Sequence, residues 1–146
     1  MIREANKNDA NVLDNLLSLL IQDEKKYDDN ISPILMILDY YRNFIGKENN
    51  IFYVYEIDNE VVGYVYAKIK KDTTMVNDSA LIDALYVKEE YRNQHIAKNL
   101  LETIINKIKE NNISIIEINV MYENTVAKHL YESLGFKTFK ETLILK

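Results

Sequence analysis

The chain has no cysteine, only one proline and only three glycines among its 146 residues. The absence of cysteine excludes disulfides, thiolate metal sites and a cysteine nucleophile, and we expect a cytoplasmic protein. No linker rich in proline and glycine, no repeat and no low-complexity tract divides the sequence. We therefore expect a single domain that spans residues 1–146.

Long apolar runs and an excess of positive charge are also missing. No run approaches the length that crosses a bilayer, and residues 1–4 do not begin a signal peptide, so no membrane partner is expected. The formal net charge of −5 argues against nucleic acid as a partner, because phosphate backbones are bound through surfaces rich in lysine and arginine. A cationic or neutral substrate is easier to accept.

One acidic cluster has two interpretations. It consists of Asp23, Glu24, Asp28 and Asp29, interleaved with Lys25 and Lys26. The carboxylates could attract an amine, or the cluster could be an ordinary solvated face, which is the usual meaning of a charge run.

Hydrophobic periodicity predicts the order β-α-α-β-β-β-α-β-α-β. The predicted strands are 2–5, 51–57, 60–70, 80–87, 114–121 and 136–145, and the predicted helices begin at residue 8 or 9, at 32–33 (ending near 44), at 96 and at 125. This order predicts an α/β fold with a mixed sheet flanked by helices, in which strands 80–87 and 114–121 are parallel. Since ligands bind beyond the carboxyl ends of parallel strands, we expect a site near Val87 and Met121.

The turn from Val87 to Ala97 leads from a strand into a helix. Free backbone N–H groups at a helix N-terminus bind anions, phosphates especially, and Arg92 would add positive charge. Taken alone, the turn could equally be an ordinary surface connection.

Two motifs together give the chain a recognisable relationship. Val87, Tyr91-Arg92, Ile96-Ala97 and Leu100-Leu101 resemble the pyrophosphate turn of the GNAT superfamily of N-acetyltransferases, in which Arg or Gln is followed by two residues, Gly, one residue, and Gly or Ala. Asn124, Ala127, Tyr131, Gly135 and Phe136 resemble its second motif. The resemblance implies a mostly antiparallel, twisted mixed sheet whose parallel central strands splay to hold acetyl-CoA. It further implies direct attack of a primary amine on the thioester, without a metal.

The resemblance also assigns the cofactor site, largely to backbone groups. The residues concerned are Leu85, Tyr86, Val87, Arg92, Asn93, Gln94, His95, Ile96, Ala97, Lys98 and Asn124. The strand end would pair with the pantetheine arm and offer a backbone donor to the oxyanion. Asn124 could instead cap the helix that follows it, and His95 replaces the usual Gly, which lets phosphate approach the backbone closely.

Two side chains are candidates for proton transfer. The resemblance places Tyr131 as the general acid that protonates the CoA thiolate, although it could be a packing residue. Asp83 is the only acid in its strand and could deprotonate the incoming ammonium, or it could be a hydrogen-bonded strand residue. Alternation places Asp83 on the face of Leu81, Leu85 and Val87. Glu117 and Asn119 are weaker polar candidates.

A second function remains open: a CoA-binding sensor or interaction module of the same fold with little turnover. His95 favours this alternative, whereas Tyr131 favours an enzyme. The acceptor amine cannot be read from the sequence; small amines, amino acids, antibiotics and protein amines are all compatible. An exposed strand edge also leaves a homodimer open.

Overall fold

The computed structural model describes residues 1–146 as a five-stranded sheet with helices on both faces. The elements are β1 (Ile2–Glu4), α1 (Ala10–Asp23), β2 (Asn50–Ile57), β3 (Glu60–Lys70), β4 (Ser79–Val87), α2 (Ile96–Glu110), β5 (Ile115–Ile118) and α3 (Thr125–Ser133), with short 3-10 turns between some of them. The strand order is β1-β2-β3-β4-β5. All neighbours are antiparallel except β4 and β5, which are parallel. The predicted mixed α/β fold is confirmed.

The two faces of the sheet bury different side chains. Helix α1 covers a face rich in aromatic residues, whereas α2 covers a face of aliphatic residues, against which α3 also packs. Helix α2 shows the periodicity expected of a helix with one buried stripe, since Leu100, Leu101, Ile104 and Ile108 are fully buried. No helix is both long and apolar enough to cross a membrane.

The predicted helix from residue 32 to about 44 is wrong. Apart from a 3-10 turn at Tyr41–Asn43, this region is irregular, and we call residues 33–41 the strap. The buried Asp14 carboxylate accepts hydrogen bonds from the N–H groups of Tyr40 and Tyr41, at 3.3 and 2.9 Å. Ser18 Oγ accepts another from Ile37 N–H at 2.9 Å. Side chains of α1 therefore take the backbone donors that helical bonding would have used.

The last predicted strand is also wrong. Residues 136–146, called here the C-terminal segment, form no helix and no strand. Strand β5 ends at Ile118, three residues before its predicted end at Met121. The remaining predicted strands and helices lie within one or two residues of their expected bounds.

Candidate active site

Strands β4 and β5 pair over only part of their length. Ser79 to Ile82 pair with Ile115 to Ile118, but β4 continues to Val87 with a partner only on its β3 side. The backbone groups of residues 83–87 that point toward β5 therefore have no strand partner. An extended ligand can pair with such an edge as an added strand.

The turn after β4 leads from this free edge to the N-terminus of α2. Asn93 and His95 both have left-handed backbones, with φ of 64° and 62°, and residues 92–95 are exposed. The first intrahelical bond of α2 runs from Asn99 N–H to His95 carbonyl oxygen, at 3.0 Å, and the His95 side chain makes no capping bond. The N–H groups of Ile96, Ala97 and Lys98 are thus left for an anion.

Arg92 braces this turn with its guanidinium group. Its Nε donates to the Val87 carbonyl oxygen at 2.9 Å, and its Nη2 pairs with Asp23 Oδ2 at 2.9 Å. Its Cζ lies 5.3 Å from the centre of the Tyr86 ring. The Arg92 side chain therefore joins the end of β4 to the end of α1. Two donors of Arg92 thus bind protein groups.

Asp83 lies on the opposite face from Leu85 and Val87, with which we predicted that it would share a face. Tyr66 pairs with Ala84 and Ala67 with Ile82, so Asp83 is an extra residue in a β-bulge. Leu85 and Val87 pack in the aliphatic core. The Asp83 carboxylate instead lies 3.6 Å from Lys68 Nζ.

The charge of Asp83 also reaches the aromatic face. Burial is the largest cause of the raised pKa values of Tyr41, Tyr64 and Tyr66, and the negative charge of Asp83 raises them further. The bulge breaks the alternation of side chains, and the carboxylate therefore faces the side of α1 and its tyrosines. Glu117, one of the weaker candidates, pairs with Lys70 at 2.8 Å, and Asn119 is exposed just beyond β5.

Tyr131 projects from α3 on the aliphatic side of the sheet. Its ring packs edge-on against Phe136, with centroids 6.2 Å apart, and no protein group hydrogen-bonds its hydroxyl. Burial, and then the negative charge of Glu24, raise the pKa of Tyr131 to about 12. The phenol is therefore protonated at neutral pH and keeps a donor available.

These features agree with the comparisons to known proteins. The model of a family described as the acetyltransferase (GNAT) family matches residues 15–136. The chain belongs to this family.

Individual relatives support the assignment. A probable N-acetyltransferase, camello, from Xenopus tropicalis is 31% identical over 101 residues, which are 69% of this chain and 45% of that protein. The tetramutant of the BH1408 protein from Bacillus halodurans has a TM-score of 0.87 and 25% identity, covering 100% of this chain and 99% of that one. An aminoglycoside N-acetyltransferase solved with CoA shares the fold, with a TM-score of 0.75, 15% identity, and coverage of 100% and 98%. The chain spans about half the length of the curated relatives it matches.

Within this GNAT fold, the position of His95 has a clear backbone explanation. The family pattern has Gly here, and the structure gives His95 a positive φ, a conformation that Gly adopts without strain. The imidazole is exposed and makes no hydrogen bond. The backbone thus has a conformation suited to Gly although Gly is absent.

Asn124 caps α3. Its Oδ1 accepts from Ala127 N–H at 3.2 Å, so the capping alternative is confirmed, and the side-chain NH2 makes no hydrogen bond within the chain. Gly135, with φ of 100°, follows the end of the same helix.

Sequence reasoning missed two contributions from the acidic cluster. Asp23 forms the ion pair with Arg92, and Glu24 lies half-buried with a pKa raised by burial and by Asp28. Both acids stand at the C-terminal end of α1, where the helix dipole disfavours negative charge. Two acids at an unfavourable helix end could therefore have indicated, from the sequence, that these carboxylates have partners elsewhere in the fold.

Gly63 was missed as well. It lies opposite Val87 in β3, and a Cβ built there would stand 3.0 Å from the Tyr86 carbonyl oxygen and 3.2 Å from Val87 Cγ2. A side chain at this position would press on the end of β4, so Gly63 permits the close approach of β3 to the free edge.

Proposed function

We propose that the chain is an acetyl-CoA-dependent N-acetyltransferase that transfers an acetyl group to a primary amine by direct attack on the thioester. The observation that carries the proposal is the continuity between the unpaired edge of β4, residues 83–87, and the open N-terminus of α2. A diphosphate with a long amide-containing arm fits such a surface, because the helix end binds charge and the strand edge binds amides.

Binding would depend mainly on backbone. The N–H groups of residues 96–98 would hold the diphosphate, and Arg92, through Val87 and Asp23, would keep the turn in shape. The edge at Leu85, Tyr86 and Val87 would align the arm and offer a backbone N–H to the thioester oxygen, where negative charge develops during attack.

The two candidate side chains would approach the thioester from opposite faces of the sheet. On the α1 side, Asp83 would accept a proton from the incoming ammonium, directly or through water, because a protonated nitrogen is not nucleophilic. On the α3 side, Tyr131 would donate to the departing sulfur. The nitrogen–carbon bond forms, the carbon–sulfur bond breaks, and the products are an amide and CoA.

The raised pKa of Tyr131 defines its contribution further. A thiol has a reference pKa near 8.5, whereas that of Tyr131 is about 12, so the thiolate is a weaker base than the phenolate would be. Tyr131 would therefore stabilise the thiolate chiefly by a hydrogen bond while the carbon–sulfur bond breaks. The thiolate would then leave with a proton taken from solvent, because full transfer from the phenol is unfavourable.

Two measurements test the proposal. Calorimetry should show acetyl-CoA binding far more tightly than an acetylated pantetheine fragment without the diphosphate, and equal affinities would remove the α2 turn from the mechanism. Release of CoA should then be followed across a panel of small amines, amino acids, aminoglycosides and peptides with free N-termini. Tight binding without release from any amine would favour the CoA-binding sensor.

A further inference from the structure

A lysine lies beside the carboxylate that the proposed reaction uses as a base. Lys68 Nζ is 3.6 Å from Asp83 Oδ2, a distance too long for a hydrogen bond. The two side chains are 42% and 35% exposed, so solvent or a ligand can reach both charged groups. Exposed ion pairs contribute little to stability, and the acetyl transfer itself does not use the Lys68 ammonium.

The next lysine on this face of β3 is bound more tightly. Lys70 Nζ donates to Glu117 Oε2 at 2.8 Å, although the Lys70 side chain is 44% exposed, nearly as much as that of Lys68. Residues two apart on a strand share a face, so the two lysines differ mainly in how their acids hold them. Lys68 and Asp83 form the looser pair, and each can exchange the other for a charge on a ligand.

The fold sets which of the two charges is nearer to the free edge of β4. Asp83 is the bulge residue, and it begins the stretch of residues 83–87 that has no partner on the β5 side. Bulges re-aim side chains beside active sites. Lys68 pairs with Leu81, two residues closer to the amino end of β4. Along the sheet, the carboxylate therefore lies nearer to the proposed thioester position and the ammonium lies farther from it.

An α-amino acid carries the complementary charges in the complementary order. Its ammonium can pair with Asp83, where it must lose a proton before it attacks, while its carboxylate pairs with Lys68. Covalent geometry puts the amino nitrogen only about 2.5 Å from the carboxyl carbon, so the two charges of the ligand are close together, as are those of the pair. A simple amine would instead bring a second positive charge to one carboxylate and would leave Lys68 without a new partner.

We propose that the acceptor is an α-amino acid and that Lys68 selects it by binding its carboxylate, an inference that rests on the proposed acetyl transfer. The ammonium loses one proton to Asp83, and the nitrogen lone pair forms the bond to the acetyl carbon and releases a second proton. The electron pair of the carbon–sulfur bond goes to sulfur, which takes up one proton. The products are an N-acetyl amino acid and CoA, with one proton released to solvent.

Paired acceptors test the selection, with CoA release followed as free thiol, to which a chain without cysteine adds no background. Each natural amino acid with a primary amine, cysteine excepted, is compared with its own carboxamide, which keeps the amine and loses the negative charge. We expect kcat/KM to be higher for the amino acid by about tenfold or more, the effect of one hydrogen bond between charged groups. Loss of the carboxylate lowers the pKa of the amine, so a larger fraction of free amine cannot explain this preference.

Lysine variants assign the preference to one residue. Lys68→Met should abolish it, chiefly through KM, whereas Lys70→Met, matched in strand, face and exposure, should retain it. Lys68→Glu should reverse it, because a second carboxylate repels that of the amino acid, and calorimetry with acetyl-CoA checks that each variant is folded. Equal kcat/KM for amino acids and carboxamides in the natural chain, or equal losses of preference in Lys68→Met and Lys70→Met, would overturn the inference and leave acetyl transfer standing. Release of CoA with no acceptor at all would overturn both.

Discussion

The two faces of the sheet differ in how they are held together. The α2 face is filled by aliphatic side chains, whereas the α1 face contains Tyr41, Tyr64, Tyr66 and Tyr86. The Tyr41 ring packs edge to face against the rings of Tyr64 and Tyr66. The buried hydroxyls of Tyr41 and Tyr64 bond to each other at 2.8 Å, and that of Tyr66 bonds to Asn50. One face is stabilised by apolar burial alone, and the other also needs polar partners that lie far apart in the sequence.

In the proposed reaction the two faces of the sheet carry different parts of the site. The aliphatic face holds α2 and α3 rigidly, and these helices present the diphosphate turn and Tyr131. The aromatic face presents Asp83 and phenol groups toward the strap, where an acceptor amine could be positioned. The comparison leads to four predictions, which we order from the largest expected effect to the smallest.

Asp14→Ala should have the largest effect and should act through the aromatic face. The buried carboxylate accepts from two N–H groups of the strap, and its loss leaves them without partners. We expect the free energy of unfolding to fall by about 3 kcal/mol, since bonds to a charged group contribute roughly 1.5–3 kcal/mol each. Urea denaturation measures this loss. Asn15→Ala, on the exposed side of the same helix, should change it by less than about 0.5 kcal/mol; an equal loss in both variants would contradict the assignment.

The same contacts explain which elements could be predicted from sequence. The stripe on α2 and the strands of the aliphatic face follow from local periodicity, so they were predicted correctly. The strap has helix-like apolar spacing and a helix-initiating Ser32-Pro33, yet Asp14 and Ser18 capture its backbone from another element. Such long-range partners leave no trace in a local pattern.

The candidate site divides in a similar way. The turn at residues 92–97 and Tyr131 are recognisable because their spacing along one segment carries the motif. The face of Asp83 could not be predicted, because a single inserted bulge residue reverses the alternation on which the prediction depended. The pairing of Asp23 with Arg92 joins residues 69 positions apart.

Tyr131→Phe should lower turnover by about 10²-fold, a typical general-acid contribution, while leaving acetyl-CoA affinity unchanged. Single-turnover kinetics and calorimetry separate these effects. Because the protonated phenol is the active form and its pKa is about 12, ionisation of Tyr131 should not limit the natural enzyme below about pH 11. The exposed Tyr122 gives the control Tyr122→Phe. Unchanged turnover in Tyr131→Phe would assign the residue to packing against Phe136.

Asp83→Asn should have a smaller effect, about tenfold on the rate, because a free amine can react without the carboxylate. The loss should be greatest at low pH, where the amine is mostly protonated and needs a base, and should shrink as pH rises. Glu117→Gln is the matched control, an acid on the neighbouring strand that also pairs with a lysine. A pH–rate profile identical to that of the natural chain would show that Asp83 serves only the aromatic face.

His95→Gly should have the smallest effect. Whether it raises or lowers the free energy of unfolding depends on the backbone conformation of residue 95. A non-Gly residue in the left-handed region is strained by about 1 kcal/mol or more, and Gly relieves this strain while adding about 0.4–1 kcal/mol of unfolded-chain entropy. We expect unfolding free energy to be unchanged or slightly higher. His129→Gly, at an exposed position inside α3, should instead cost about 1 kcal/mol. Thermal unfolding of the two variants compares the only two histidines of the chain.

The affinity of His95→Gly for acetyl-CoA should change little, because the backbone of the turn before α2 already has the conformation suited to Gly and the imidazole is exposed. Tenfold tighter binding, equivalent to about 1.4 kcal/mol, would mean that the imidazole obstructs the diphosphate and would favour the sensor over the enzyme.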